Sequence, residues 1–343
     1  MAKAVALLSG GLDSTLAVRL VIDQGIEVYA LNFTSAFCTC DAGGKHNGHK
    51  GKAEGGCRSE ARRVAEEFGI PIKVLAKGLD YIDVVRKPRY GYGKGMNPCV
   101  DCRIYMFSMA KRYMEEIGAS FIVTGEVIGQ RPMSQRLANF NAIEKDSGLE
   151  GLILRPLCAK QIEPTIPEKH GIIDRERLLD MAGRGRRPQM ELAEELDIRD
   201  YPCPSGGCLL TDKIFSKKVR DLLTNKQDIT HKDLNLLKAG RHFRFEGIKI
   251  VVGRDHGDNI RLKNFAQIGD TLLEPVDFSG PTALIAGKYC GNVVEFAASL
   301  IVSYAGDKAS REGLIRVTRD GAATDLRAAV LLDRGSIERY MVC

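Results

Sequence analysis

The sequence predicts an α/β domain built on a parallel sheet, followed by a smaller β-rich α+β domain. The first observation is that strand-like and helix-like segments alternate over residues 1–211, which is typical of a parallel sheet covered by helices on both faces. The second is a change of pattern over residues 212–343, where short β-like runs are separated by glycine turns. We therefore predict two domains, 1–211 and 212–343.

The elements of both domains are predicted from apolar runs and helical periodicity. The runs AVALL, EVYALNF, IKVLA and FIVTG are short and apolar, so they indicate buried strands. These strands cover residues 4–8, 27–33, 72–76 and 121–125. Helices are predicted at 13–25, 58–69 and 102–118, and after Asp174 and Pro188. In the second domain, β-like runs cover 241–255, 259–262, 313–321 and 328–342.

Composition restricts the class of protein. The sequence contains no apolar run long enough to cross a bilayer and no secretory signal, so we expect a cytoplasmic protein without a membrane partner. Ten cysteines in such a chain favour metal binding, a cluster or a catalytic thiol over a disulfide framework. The net charge of +6 is compatible with a nucleic-acid partner but does not require one.

The segment SGGLDS, residues 9–14, follows the first predicted strand and opens the first helix. Gly10 and Gly11 let backbone N–H groups approach an anion, and the helix start adds its dipole. Ser9 and Ser14 add hydroxyl groups, whereas Asp13 would repel phosphate unless Mg²⁺ lay between them. The segment matches neither the Walker A nor the dinucleotide pattern. It predicts a phosphate-binding turn, and the alternative is a tight turn without a ligand.

Two pairs of cysteines also suggest chemistry. Cys99 and Cys102 stand a helical turn apart in MNPCVDCRIY, and Cys203 and Cys208 stand in YPCPSGGCLLTD. Thiolates in this number suit an iron–sulfur cluster, a structural zinc site or a redox pair, and the residues alone leave these alternatives open. A second group could hold zinc or belong to a basic loop; it comprises Cys38, Cys40, His46, His49 and Cys57.

Residues 1–211 resemble the PP-loop ATP pyrophosphatases, whose signature loop is SGGLDS after an N-terminal strand. TGEVIGQRPMSQ, residues 124–135, followed by LRPL, residues 154–157, looks like the signature of the tRNA 4-thiouridine synthetases. The sequence departs from that signature by one extra residue between Gln130 and Ser134. The tRNA 2-thiouridylases are the nearest alternative within this group.

The resemblance implies an adenine nucleotide alpha hydrolase-like fold and a tRNA sulfurtransferase that uses ATP and Mg²⁺ to adenylate a uridine carbonyl. It implies nucleotide contacts at Ser9, Gly10, Gly11, Asp13, Ser14, Asn32, Phe33, Gly125 and Gln130. It also implies a 4Fe–4S cluster on Cys99, Cys102 and Cys208, with Cys203 as the reserve ligand. Zinc and a persulfide carried by Cys102 or Cys208 are the alternatives. The expected sulfur donor is sulfide or a persulfide-carrying cysteine desulfurase.

Residues 213–343 are similar to the NFACT-R-type RNA-binding domain, with Val252-Gly253-Arg254 and Asn259 as the most specific piece. Arg131 is expected to contact AMP or RNA. The cations expected to form a basic β surface for RNA phosphates are Arg241, Arg244, Lys249, Arg254 and Arg261. We therefore expect a tRNA uridine thiolase. Its rivals are an amide-forming PP-loop ligase and a ribosome- or tRNA-binding factor that only senses ATP.

Overall fold

The computed structural model describes residues 1–39, 56–201, 207–305, 312–331 and 334–342. The chain divides into two compact units, Met1–Thr211 and Asp212–Cys343. The first unit contains a parallel sheet with helices and the second contains an antiparallel sheet, so the predicted fold class is confirmed. No helix among the described residues is long and apolar enough to cross a membrane.

The first unit contains five strands and seven helices among its described residues. The strands are β1 (Lys3–Leu7), β2 (Glu27–Thr34), β3 (Ile72–Ala76), β4 (Phe121–Thr124) and β5 (Ile153–Leu154). The helices are α1 (Leu12–Ile22), α2 (Gly56–Glu67), α3 (Tyr81–Arg86), α4 (Cys99–Glu116), α5 (Leu137–Ser147), α6 (Ile166–Lys169) and α7 (Arg187–Glu195). The helix predicted after Asp174 is only a 3₁₀ turn, Arg175–Arg177.

The order of the strands in the first sheet is β3-β2-β1-β4-β5, and all neighbouring strands are parallel. Strand β1 is central, with Val5 opposite Tyr29 on one side and Ile122 on the other. After β1 the chain first adds β2 and β3 on one side of that strand, and it later adds β4 and β5 on the other side. The strand order therefore reverses at β1, and ligands in open α/β sheets bind in the crevice at such a switch point.

The core of the first unit lies on both faces of this sheet. Ala4 and Ala6 of β1 belong to the cluster around α1, whereas Val5 and Leu7 belong to the cluster around α4. Alternate residues of a strand point to opposite faces, so an apolar run is required where both faces are buried. Helix α4 begins at Cys99 with Pro98 as its N-cap, so it includes the CxxC segment as well as the predicted helical run from residue 102. Both thiols of the CxxC segment therefore stand in its first turn.

The second unit combines six antiparallel strands with five helices among its described residues. The strands are β6 (Arg241–Phe245), β7 (Ile248–Val252), β8 (Thr271–Pro275), β9 (Ala283–Ile285), β10 (Glu312–Arg319) and β11 (Ala322–Ala329), in the order β11-β10-β8-β9-β7-β6. The helices are α8 (Lys213–Asn225), α9 (His231–Leu236), α10 (His256–Phe265), α11 (Gly291–Tyr304) and α12 (Arg334–Glu338). Apolar residues of α11, such as Ala297 and Leu300, form one core with the sheet.

Two β predictions in this unit are wrong. Residues 259–262 lie in α10, because Asp255 caps that helix by accepting a hydrogen bond from the N–H of Asp258. Among the described residues of the run 328–342, only Ala328 and Ala329 belong to a strand, and α12 follows. A four-residue apolar–polar segment does not distinguish strand from helix by periodicity alone.

Candidate active site

The SGGLDS segment forms the turn between β1 and α1. Ser14 Oγ donates to the carbonyl of Gly11 (2.8 Å) and lies 3.1 Å from Ser9 Oγ. Gly10 has φ of +77°, and a Cβ there would overlap the backbone of α2. Gly11 is the N-cap of α1 and provides no side chain to the helix N–H groups. The amino end of α1 is therefore free to receive an anion.

The loop after β4 touches this turn directly. A side chain at Gly125 would overlap the carbonyl of Asp13 and the N–H of Ser14, so only glycine permits this approach. Gln130 Nε2 donates to Asp13 Oδ2 at 3.1 Å. The two loops at the reversal of strand order therefore form one continuous wall, as the sheet topology requires.

Several buried oxygens in this crevice have no hydrogen-bond partner among the described residues. They are Asp13 Oδ1, Asn32 Oδ1 and Gln135 Oε1. Asn32 also fixes the ends of β1 and β2 together, because its Nδ2 donates to the carbonyl of Leu8 at 2.8 Å. Buried polar atoms are normally satisfied, so three such oxygens in one crevice indicate a site that binds a polar ligand.

The thiols of Cys99, Cys102 and Cys208 line this same cavity, which has a volume of about 320 Å³. The segment carrying Cys208 is held by backbone hydrogen bonds from Leu209 to Phe37 (2.9 Å) and from Met96 to Leu210 (2.9 Å). The cavity lining includes eleven of the predicted site residues, namely Ser9, Asp13, Ser14, Asn32, Phe33, Cys99, Cys102, Gly125, Gln130, Arg131 and Cys208. Residues from distant parts of the chain thus meet at one place.

The three thiols have different electrostatic surroundings. Burial raises the pKa of Cys99, and it raises the pKa of Cys208 to about 11. Burial also opposes ionisation of Cys102, but the charge and hydrogen bond of Lys77, whose Nζ lies 2.9 Å from Cys102 Sγ, outweigh it and lower the pKa. Tyr81 also donates to this sulfur and contributes in the same direction. Cys102 is therefore the thiol most readily converted to thiolate.

Replacement of Lys77 tests this assignment. We expect Lys77→Met to raise the pKa of Cys102, because the thiolate loses the cation that stabilises it. Alkylation of Cys102 by iodoacetamide, followed by peptide mass spectrometry over a pH series, should then slow at neutral pH and reach half-maximum at higher pH. Lys73→Met is the matched control, since Lys73 lies on β3, the strand that Lys77 directly follows, and pairs with Glu116. An unchanged pH profile in Lys77→Met would contradict the assignment.

A buried charge network supports the wall opposite the phosphate turn. Arg155 of LRPL is 1% exposed, and its Nε lies 3.3 Å from Oε2 of Glu126, the glutamate of TGEVIGQ. Arg155 also pairs with Glu144 and lies over the ring of Phe140 at 3.9 Å. Arg103 Nε pairs with the other oxygen of Glu126 at 3.2 Å. The two signature segments are therefore joined by an ion pair that also orients Arg103 at the cavity.

Removing one partner of this network should destabilise the first unit. We expect Arg155→Met to lower its free energy of unfolding by about 3–5 kcal/mol, because buried carboxylates lose their cation. The measurement is urea unfolding of the full chain. Arg89→Met is the control, since Arg89 is exposed where it pairs with Asp146. This change should lower the free energy of unfolding by less than about 1 kcal/mol. Equal effects of both changes would contradict a structural role for the network.

The cations predicted for RNA binding are largely engaged within the second unit. Arg244 Nε lies 2.7 Å and Lys249 Nζ 3.4 Å from the carboxylate of Asp221. Arg254 and Arg261 both face Asp258, at 2.6 and 3.6 Å. Arg241 donates to the carbonyl of Gly253 and lies over the ring of Tyr304. These five cations are therefore engaged within the unit, but two carboxylates neutralise only two of the five charges, and the basic β surface stays a prediction.

Some predicted ligands lie outside the described residues. These are Cys40, His46, His49, Cys203 and the side chain of Cys57, so the second metal hypothesis stays a prediction. Among the described residues, no group of three or more His, Cys, Asp or Glu side chains is close enough together to hold a single metal ion. Sequence reasoning missed Lys77, Tyr81, Arg103 and Glu126 as residues of the site. Lys77 directly follows β3, and its position at the carboxyl end of a strand was the available signal.

Comparison with known proteins agrees with this arrangement. Residues 1–168 match the family described as thiamine biosynthesis protein (ThiI). The first unit is thus similar to ThiI over most of its length. Residues 240–341 match the family described as NFACT protein RNA binding domain. Both predicted resemblances are confirmed.

Curated relatives of the ThiI-like unit include proteins named for RNA thiolation. The tRNA-specific 2-thiouridylase MnmA of Clostridium acetobutylicum is 32% identical over 140 residues, covering 36% of this chain and 35% of the relative. A probable tRNA sulfurtransferase of Methanothermobacter thermautotrophicus is 32% identical over 155 residues, covering 45% of this chain and 36% of the relative. The chain thus spans about a third of the length of these two curated relatives.

Among solved structures, a 4-thiouridine synthetase–RNA complex with bound ATP is 23% identical to this chain, with a TM-score of 0.36. The likeness covers 69% of this chain and 52% of that chain.

Proposed function

We propose that this chain is an ATP-dependent tRNA sulfurtransferase that replaces a uridine oxygen with sulfur at the 2- or 4-position. The observation that carries the proposal is the single cavity lined by both the phosphate turn and three thiols. Activation of a carbonyl oxygen and delivery of sulfur to the same carbon require both kinds of group at one place. The curated relatives named for tRNA thiolation support the choice of substrate.

The phosphate turn is suited to the first half of the reaction. The uridine oxygen attacks the α-phosphorus of ATP, and the bond to pyrophosphate breaks. Backbone N–H groups of Gly10 and Gly11 and the open end of α1 would hold the pyrophosphate. Asp13 has an unpartnered buried oxygen, which fits a ligand of Mg²⁺, and bound Mg²⁺ supplies positive charge between this carboxylate and the phosphates.

Two guanidinium groups would balance charge on the nucleotide. Arg103 and Arg131 both line the cavity, and the pKa of Arg131 is lowered first by desolvation and then by the positive charge of Arg103. Like charges so close together repel each other, and a phosphate between them relieves that repulsion. Glu126 fixes Arg103 from behind, so the cation is oriented before the nucleotide binds.

The cysteines are suited to the second half. Sulfur attacks the adenylated carbon, and AMP leaves with the former uridine oxygen. Cys99, Cys102 and Cys208 offer three thiolates to one cavity, which fits a 4Fe–4S cluster, since such a cluster separates its ligands more widely than a single ion does. When bound, the cluster supplies an iron site able to hold sulfide. The lowered pKa of Cys102 equally supports the alternative of a persulfide on that residue.

Nucleoside analysis tests the proposal. The full chain is incubated without oxygen with ATP, Mg²⁺, sulfide and unmodified tRNA, and the digested tRNA is analysed by mass spectrometry. We expect 2-thiouridine or 4-thiouridine and an equal amount of AMP. ATP consumption with an amide product, or RNA binding without any AMP, would instead support a ligase or an ATP-sensing factor.

A further inference from the structure

Helix α8 carries a row of exposed cations on one side. Lys213, Lys217 and Arg220 are exposed, and their spacing of four and three residues places them on one face of the helix. The opposite face packs into the second unit through Phe215, Val219 and other buried residues. The helix rises about 1.5 Å per residue, so the three charges extend over about 10 Å.

These cations differ from the five predicted for RNA binding in having no partner. Among the described residues, no acid, carbonyl or ring pairs with Lys213, Lys217 or Arg220. By contrast, Arg316 pairs with Asp325 at 3.0 Å, as Arg244 does with Asp221. The cations predicted for RNA binding therefore have partners within the unit, whereas Lys213, Lys217 and Arg220 form a row of three charges without one on a single face of α8.

The acids closest in sequence are already engaged. Asp221, within α8, is contacted by Arg244 and Lys249. Asp212 caps the helix, its Oδ1 accepting a hydrogen bond from the N–H of Phe215 at 2.7 Å. A carboxylate at that end stabilises the helix dipole and lies beside only the first cation of the row. The net charge presented by the exposed face is therefore positive.

We propose that this face of α8, defined by Lys213, Lys217 and Arg220, binds the sugar–phosphate backbone of the RNA substrate. The inference rests on the proposed function and assigns the RNA contact to a helix that precedes the segment matching the RNA-binding family, 240–341. Phosphates are bound mainly by Lys and Arg side chains, and a row of cations matches a chain of regularly spaced anions.

An anionic membrane is a poorer match. Helices that lie on membranes bury a broad apolar face in the lipid. The only large apolar side chain exposed on the described part of α8 is Ile214, which is 59% exposed. The other large apolar residues of the helix face the core of the unit. The charge pattern without an apolar stripe therefore favours RNA.

The test uses the full chain carrying Lys213→Gln, Lys217→Gln and Arg220→Gln together. We expect the affinity for tRNA to fall on the order of tenfold near physiological salt. The plot of the logarithm of the association constant against the logarithm of the salt concentration should become less steep by about 3. The control carries Lys288→Gln, Arg327→Gln and Arg339→Gln, which remove the same charge from other exposed positions of the unit. It should retain the wild-type slope.

The outcomes separate the two proposals. Wild-type affinity in the α8 variant, or equal losses in variant and control, would overturn the RNA face. If the RNA face is correct, AMP formation by the α8 variant should return to the wild-type rate at saturating tRNA. A wild-type chain that binds tRNA through α8 but forms no AMP would overturn the thiolase proposal and leave the RNA face standing.

Discussion

Asp13→Asn should abolish the release of pyrophosphate from ATP in the presence of tRNA. The change keeps the shape of the side chain and an oxygen able to accept the hydrogen bond from Gln130, but it removes the negative charge. Without that charge, Mg²⁺ loses its ligand beside the phosphates, and the barrier to transfer of AMP rises. A loss of about a thousandfold or more is expected, since catalysis of phosphoryl transfer depends on positioning and charge neutralisation.

The measurement is pyrophosphate release coupled to a colour reaction, at saturating ATP and tRNA. Asp23→Asn is the matched control, because Asp23 lies at the other end of α1 and its carboxylate pairs with Arg19 on the surface. Both variants should unfold at the wild-type temperature. Wild-type pyrophosphate release by Asp13→Asn would show that this carboxylate holds no catalytic metal and that the adenylation assignment is wrong.

The parallel sheet was predictable because its signal is local. Strand β1 is buried on both faces, so its sequence is a continuous apolar run, and the same holds for β4. Residues 259–262 were misassigned because their helix depends on a cap at Asp255, outside the segment. Helix α4 includes the CxxC segment because Pro98 ends the preceding loop and the helix starts at Cys99.

The site was partly predictable because motifs mark the ends of strands. The phosphate turn and the CxxC segment could be named from the sequence, but Lys77 beside Cys102 could not, since 25 residues separate them. The partners of the predicted basic surface could not be named from the sequence for a related reason. Arg244 and Lys249 look available in the sequence, and only the fold reveals that both contact the carboxylate of Asp221.

Replacing Cys99, Cys102 or Cys208 with Ala should each remove both the cluster and thiolation. The three thiols line one cavity from two segments, the first turn of α4 and the segment held against Phe37 and Met96. A cluster bound by three thiolates keeps only two of them when one cysteine is replaced, and two are too few to hold it. Amides at the start of α4 stabilise thiolates, so Cys99 and Cys102 are suited to bind together.

The protein purified without oxygen should be brown, contain iron and acid-labile sulfide, and lose colour and thiolation in air. The control is Cys290→Ala, since Cys290 belongs to the second unit and lies near Glu246. That variant should keep both properties.

Pyrophosphate release should persist in the three cavity variants, because the phosphate turn remains intact, and this separates loss of sulfur delivery from loss of folding. A colourless preparation that thiolates tRNA at full rate would exclude the cluster. If, with a persulfide-carrying cysteine desulfurase as donor in place of sulfide, Cys102 received the outer sulfur as a persulfide and a neighbouring thiol released it to the uridine by forming a disulfide with Cys102, sulfur transfer would be assigned to Cys102.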